Sequence, residues 1–223
     1  MLVAGVDEAG RGPVIGPMVM AITTIDEDKE QYLKSIGIKD SKMLTPEKRE
    51  ELAKEICHLC KCNVVKITAK QLNSWMKVKS LNQIEADAAA DLIFHMPELE
   101  KVGKIYIDSP DTVARKFVWR MNLNKSIKDK IHASHKADVI FPICSAASIV
   151  AKTTRDAEIE KIKKELGCNF RTGYSHDADT IKCLEENIDN PILRKYLRME
   201  WKTTKNLLER LKFKTKQVKL DDI

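Results

Sequence analysis

The chain has 223 residues, 43% of them hydrophobic and 32% charged, enough for a real core and inconsistent with a disordered tail. The apolar run near the middle, Phe141–Ala151, is well short of the ~18 residues of a membrane span, and Asp7 and Glu8 interrupt the N-terminal apolar stretch, so the expectation is a cytoplasmic protein without a secretory signal or membrane partner. Net charge is +6, but residues 194–219 hold ten Lys/Arg against two acids, which leaves −2 for the remainder.

Leu2–Asp7 and Met18–Ile25 read as strands, the second rich in β-branched residues. Between them, residues 8–17 carry three Gly and two Pro, which forbid a helix and suggest an antiparallel pair joined by a loop. Thr45-Pro46 opens a helix, with Thr as N-cap and Pro at the first helical position; Leu52, Ile56, Leu59 and Cys60 then recur at helical spacing. Asn63–Thr68 is a strand, Leu81–His95 an alanine-rich helix, Lys104–Ile107 a short strand ending at Asp108, and Asp111–Met121 a helix. Ile131–Lys136 reads as a further strand, Phe141–Leu166 as a long helix and Gly167–Ser175 as a loop. Asp177–Ile188 and Glu200–Leu211 are helices on either side of Pro191. This order predicts an α/β domain with a mixed sheet over 1–175 and a small basic helical domain over 176–223. The basic tail points to a polyanion, nucleic acid first, against the plainer reading of a solvated helix face.

The six cysteines read as thiols rather than a disulfide frame. Cys57-x-x-Cys60-x-Cys62 has no second Cys or His pair at finger spacing, and His132-x-x-His135 reads as a strand face. Trp75, Trp119 and Trp201 are expected in cores. Gly10-x-Gly12-x-x-x-Gly16 is not a dinucleotide fingerprint, because prolines and a strand follow it where that motif needs a helix.

The acids carry more. Asp7 and Glu8 end one apolar strand, Asp108 ends another, and Asp138 follows a third. Carboxylates at the ends of buried strands are costly unless paired or metal-bound. A convergence of oxygen ligands without a Cys/His set suits Mg²⁺ or Mn²⁺, and such ions can clamp the attacking and leaving oxygens of a phosphodiester. For any single acid, an exposed or paired strand-end residue is the simpler reading, and spacing alone does not decide for all four.

The run Gly5-Val-Asp7-Glu8-Ala-Gly10-Arg11-Gly12-Pro-Val-Ile-Gly-Pro17 resembles the opening motif of the type 2 ribonucleases H. Further matches follow in order: Lys39-Asp40-Ser41-Lys42 before Leu44-Thr45; Tyr106-Ile-Asp108-Ser; His135-Lys-Ala-Asp138 leading into Pro142-x-x-Ser145-Ala-Ala-Ser148-Ile-x-Ala151-Lys152; Arg155-Asp156; and Thr172-Gly173-Tyr174. The resemblance spans nearly the whole chain and is to the archaeal ribonucleases HII. It implies a ribonuclease H-like fold with a five-stranded mixed sheet flanked by helices. It also implies cleavage of the RNA strand in RNA–DNA hybrids and incision 5′ of single ribonucleotides in duplex DNA, leaving 3′-hydroxyl and 5′-phosphate ends. It assigns metal binding and catalysis to Asp7, Glu8, Asp108 and Asp138. Gly10, Arg11 and Gly12 would meet the 2′-hydroxyl and phosphates at the RNA–DNA junction, Lys42 a phosphate, and Tyr174 the sugar of the following deoxynucleotide.

The residue chemistry agrees, since glycines admit close backbone approach to a ribose and the 2′-hydroxyl is what separates RNA from DNA. Lys152 and Arg155, at i, i+3 on the long helix, are weaker phosphate candidates. An adjacent Asp-Glu pair points to opposite faces of an ideal strand, so Asp7 and Glu8 are expected to share a site only through a bend in the chain. Two departures from the family pattern stand out. Ser175-His176-Asp177-Ala178 replaces the usual Pro-Ser-Asp-Pro after the Gly-Tyr pair. The tail Gln217-Val-Lys-Leu220-Asp-Asp-Ile223 keeps the Gln of a clamp-binding peptide but lacks its paired aromatics, so a frayed end competes with a sliding-clamp partner. The expected state is a monomer. Three rivals remain: a resolvase- or transposase-type DNA nuclease, which needs no 2′-hydroxyl reader; a non-catalytic duplex binder; and a type 3 ribonuclease H, which usually carries an extra N-terminal domain.

Overall fold

A computed structural model describes residues 1–38 and 45–210. The chain forms two compact units. The first comprises Met1–Ala9, Met18–Lys66 and Lys79–Arg155; the second comprises Gly10–Pro17, Ile67–Val78 and the chain from Asp156 onward.

The first unit is built on a five-stranded sheet in the order β3-β2-β1-β4-β5. Its strands are β1 (Leu2–Ala9), β2 (Met18–Asp26), β3 (Lys61–Ile67), β4 (Val102–Asp108) and β5 (Ile131–Ser134). β1 pairs antiparallel with β2, from Leu2↔Asp26 to Ala9↔Val19. On its other edge β1 pairs parallel with β4, and β4 with β5. The sheet is therefore mixed, as the order of predicted elements required. β1 and β2 lack polar alternation because both faces of these central strands are buried.

On one face, Val3, Val19, Ala21 and Ile25 pack with Leu33 of α1 (Glu30–Ser35), Leu52 and Ile56 of α2 (Pro46–Leu59), and Ile143, Ala146 and Ile149 of the long helix. α2 begins where the sequence places it: Pro46 is its first residue, and the Thr45 hydroxyl accepts from the Lys48 N–H. The short helix α3 (Ala69–Trp75), opened by a Thr68–Gln71 capping box, was not foreseen, and Trp75 at its end is exposed, against its expected core placement. α4 (Leu81–Phe94) begins at the Ser80 N-cap, whose side chain accepts from Gln83 N–H. α5 (Ala114–Arg120) is shorter than the predicted helix, because Asp111 is held in the preceding loop by Asn82 and Arg120. Trp119 on this helix is 63% exposed. That corrects its expected core placement: its neighbours Phe117 and Val118 take the buried face.

α6 (Lys125–Lys128) and α7 (Ala137–Ile140) are single turns flanking β5, and α8 (Pro142–Leu166) is the long helix. The N-terminal half of α8 packs on β1 and β2, where Thr23 Oγ1 donates to the Ile143 carbonyl at 2.9 Å.

The second unit has its own core. Ile159, Ile162 and Leu166 of α8 pack with Phe170, with Leu184 of α9 (Ala178–Asn187), with Leu193 of α10 (Pro191–Tyr196), and with Leu197 and Leu207. Leu207 lies in a final helix over 202–210. Val14 and Ile15 belong to this core as well. Ile15 bridges to Leu197, Val14 N–H donates to the Gly173 carbonyl, and Gly16 N–H donates to the Tyr196 carbonyl. The loop after β1 is thus an anchored structural element. Cys168 and Cys183 are paired as a disulfide with Cα atoms 6.1 Å apart, correcting the all-thiol expectation, whereas Cys57, Cys60, Cys62 and Cys144 are free. Burial pushes the Cys60 thiol up to about 12. Among the described residues, no helix is long and apolar enough to cross a membrane.

Candidate active site

The sheet brings carboxylates together at the C-terminal ends of its central strands. One oxygen each from Asp7, Glu8 and Asp108 lies within 4.8 Å of the others. Asp7 and Asp108 are neighbours because β1 and β4 run parallel, with Val6 opposite Ile107. Asp7 and Glu8 both lie within β1, opposite Ala21 and Met20 of β2. The relevant feature lies on the other edge, where the ladder with β4 has its last pair at Val6↔Ile107. Beyond that pair both carboxylates can turn to one place. Glu8 N–H donates to Asp7 Oδ1 at 2.8 Å, fixing the first carboxylate against the backbone of the second.

The electrostatics are those of a cluster built for a cation. Asp7 is only 5% exposed. Burial first, then the charge of Glu8, push its carboxyl well above the usual range, against hydrogen bonds from Ser148 and the Glu8 N–H. Asp108 is raised chiefly by burial, and the nearby charge of Asp138 adds to this. The Ala137 N–H donates to Asp108 Oδ1 at 3.0 Å and opposes that shift. Asp138 stands outside the 4.8 Å group. It sits in the first turn of α7, after a left-handed Lys136 (φ 56°) that turns the chain out of β5. Ser145 Oγ on α8 donates to the Asp138 carbonyl. Hard oxygen donors, close spacing and raised affinity for protons fit a divalent ion of the Mg²⁺ or Mn²⁺ kind.

The second unit holds the other candidates. Gly10, Arg11 and Gly12 lie in the anchored loop, and a Cβ on Gly12 would stand 3.1 Å from Cε1 of Tyr174. Two remote motifs of the sequence thus meet. The altered segment after Tyr174 is still tied down by its retained acid. The Asp177 carboxylate accepts from the N–H groups of Arg171, Thr172 and Asp179 and from Thr180 Oγ1. The Tyr174 ring has His176 beside it at 5.3 Å.

Lys42 lies outside the described residues. Arg155 is 3% exposed, which removes it as a surface phosphate contact: its turn of α8 faces inward. Three residues escaped the sequence reading. Ser148 supports Asp7, Asp177 ties the Tyr174 loop, and the buried Arg198 holds the glycine loop. Ser148 lay within the quoted motif on α8 and Asp177 within the quoted segment after Tyr174, but nothing in the sequence singled out Arg198.

A mixed five-stranded sheet with an acidic cluster at the ends of its central parallel strands defines a nuclease of the ribonuclease H fold. The family profile for ribonuclease HII matches residues 4–204. The chain belongs to the ribonuclease HII family and is accordingly an endoribonuclease, a hydrolase with ribonuclease H activity on RNA–DNA hybrids. It is 39% identical over 209 residues to ribonuclease HII of Archaeoglobus fulgidus, covering 93% of this chain and 97% of that one. It is 41% identical over 228 residues to ribonuclease HII of Pyrococcus horikoshii, covering 99% and 98%.

Among solved structures, the PCNA:RNase HII complex from Archaeoglobus fulgidus matches with a TM-score of 0.80 at 37% identity, covering 91% of this chain and 96% of that one. Ribonuclease H2 from Pyrococcus horikoshii matches at 0.80 and 38%, covering 95% and 99%. Bst-RNase HIII, solved with Mn²⁺, shares the fold at 0.78 and 22% identity, covering 95% of this chain and 70% of that one.

Proposed function

We propose that this enzyme hydrolyses the RNA strand of hybrids and also incises duplex DNA 5′ of a single embedded ribonucleotide, leaving a 3′-hydroxyl and a 5′-phosphate. The observation that carries the reading is the convergence of Asp7, Glu8 and Asp108 within 4.8 Å. These three, with Asp138 at the adjoining turn, are the residues that would hold Mg²⁺ or Mn²⁺. When bound, such an ion supplies Lewis-acid stabilisation of charge on the phosphodiester oxygens.

The protein's own part is positioning. Ser148 and the Glu8 N–H orient the Asp7 carboxylate, and the Ala137 N–H orients that of Asp108. Their raised proton affinity makes them good acceptors for the positive charge the reaction needs. In-line attack of water on the phosphate 5′ to the ribonucleotide breaks the P–O3′ bond. The Gly10-Arg11-Gly12 backbone reads the 2′-hydroxyl, and the Tyr174 ring beside Gly12 packs on the sugar that follows. Lys42 and the basic segment after residue 194, apart from the buried Arg198, contact phosphates. A sliding clamp is a further partner through 217–223, outside the described residues; support comes from the Archaeoglobus relative solved with PCNA.

The test is cleavage of a labelled duplex containing one ribonucleotide, with and without Mg²⁺ or Mn²⁺, beside an all-DNA control. A metal-dependent nick 5′ of the ribonucleotide, absent from the control, is expected. Cutting of both duplexes would favour a DNA nuclease, and binding without cutting in either metal would leave only a binder.

A further inference from the structure

The residue that builds the glycine loop lies far from it in sequence. Arg198 is fully buried, with 0% of its surface exposed. Its guanidinium donates from Nη2 to the Gly10 carbonyl at 2.7 Å, from Nη1 to the Arg11 carbonyl at 3.1 Å and from Nε to the Gly16 carbonyl at 2.9 Å. Its own N–H donates to the Val14 carbonyl at 2.8 Å. The guanidinium lies over the Trp201 ring, 4.8 Å from its centre. Burying a charge is expensive unless it is hydrogen-bonded, and three charge-assisted bonds to carbonyls offset that cost. Only arginine offers several donors in a rigid planar fork. A lysine, with one nitrogen, cannot reach three carbonyls in this spread.

We propose that Arg198 is the positioning residue for ribonucleotide recognition: it sets the peptide planes of Gly10–Arg11 and Arg11–Gly12 so that their N–H groups face the 2′-hydroxyl and adjacent phosphate. In a trans peptide the C=O and N–H point in opposite directions. A cation that grips the carbonyls of Gly10 and Arg11 therefore turns the N–H groups of Arg11 and Gly12 to the side away from the guanidinium. The same grip polarises those peptides and strengthens them as donors. The inference rests on the reading above that residues 10–12 meet the ribose, and adds what holds them there.

The test compares affinity for a duplex with one embedded ribonucleotide and for the same duplex in all-DNA form, in Ca²⁺ buffer so that strand integrity can be checked on a gel after each titration. Arg198→Lys is expected to lose about tenfold of the preference for the ribonucleotide while binding all-DNA duplex within about twofold of wild type. A purely structural role would weaken both equally, and an unchanged preference in a folded Arg198→Lys protein overturns the proposal. Where Arg198→Lys does not fold, Trp201→Leu, which takes away the ring beneath the guanidinium and keeps an apolar side chain against the core of the second unit, decides: a reduced preference supports the proposal and an unchanged one overturns it. Gly12→Ala in the same assay separates the two readings. If it abolishes the preference while Arg198→Lys does not, positioning by Arg198 is wrong and the loop reading stands. If Gly12→Ala also leaves the preference intact, or wild type shows none, the loop reading fails and this proposal with it.

Discussion

The ring of Tyr174 lies against the backbone of Gly12, 3.1 Å from where a Cβ on that glycine would stand. Two motifs more than 150 residues apart in the sequence thus form one surface, in which a side chain larger than glycine would press on its aromatic neighbour.

Gly12→Ala forces the Tyr174 ring to give way by a few tenths of an ångström, moving both groups proposed to grip the ribonucleotide. We expect kcat/KM on the single-ribonucleotide duplex to fall about tenfold or more, a loss of ~1.4 kcal/mol in transition-state binding. The melting temperature should stay close to that of wild type, because both groups are at least partly solvent-accessible. Steady-state kinetics beside a thermal melt checks this.

Asp108→Asn removes one charge from the three-acid cluster and keeps the shape, including the acceptor for the Ala137 N–H. The expected loss in kcat is about 10²–10³-fold, as for removing one preorganised electrostatic group, with duplex affinity retained. An unchanged rate would remove Asp108 from the catalytic set.

Asp7→Asn should stabilise the metal-free protein. The folded-state carboxyl is raised above its ordinary value by burial and by Glu8. Its contribution to stability is therefore fully present below the unfolded Asp value and is lost as pH rises through the raised folded value. At neutral pH the wild type carries that cost and the amide does not, so the variant is expected to melt about 2–4 °C higher. Mg²⁺ or Mn²⁺ should raise the wild-type melting temperature and have little effect on the variant. For the same reason wild-type activity should fall as acidification protonates Asp7. Calorimetry in chelator and in metal, across pH, checks both signs.

Gly5→Ala tests the packing beneath the site. A Cβ there would lie 2.4 Å from the carbonyl carbon and oxygen of Ile143. Those are backbone atoms at the start of α8, and Thr23 already holds that carbonyl. The neighbour cannot rotate away, so a cost of about 3 kcal/mol is expected, read as a lower denaturant midpoint with activity lost in proportion to unfolding.

Much of this molecule is legible locally. The apolar runs of β1 and β2, the Thr45-Pro46 start of α2 and the long helix through 142–166 are set by side-chain periodicity, capping and the exclusion of Gly and Pro. All of these act within a few residues of chain. Acids at the strand ends were visible for the same reason, since a carboxylate that closes an apolar run stands out. The short helix α3 and the late start of the predicted Asp111–Met121 helix were less visible, because a capping box and a loop-bound Asp111 decide them.

What the sequence by itself determined was the kind of chain: a mixed α/β sheet, acids at its strand ends, and a glycine loop of the ribonuclease HII type. Which groups meet was decided only by tertiary structure. Asp7 and Asp108 are about 100 residues apart, and parallel pairing of β1 with β4 brings them together while Asp138 stays outside their group. Trp119 faces solvent and Arg155 faces inward because packing against neighbouring elements, and not residue type, chooses the buried side. Arg198 looked like one more cation in a basic tail. Its role depends on three carbonyls from the other end of the chain, and local propensity carries no information about long-range hydrogen bonds.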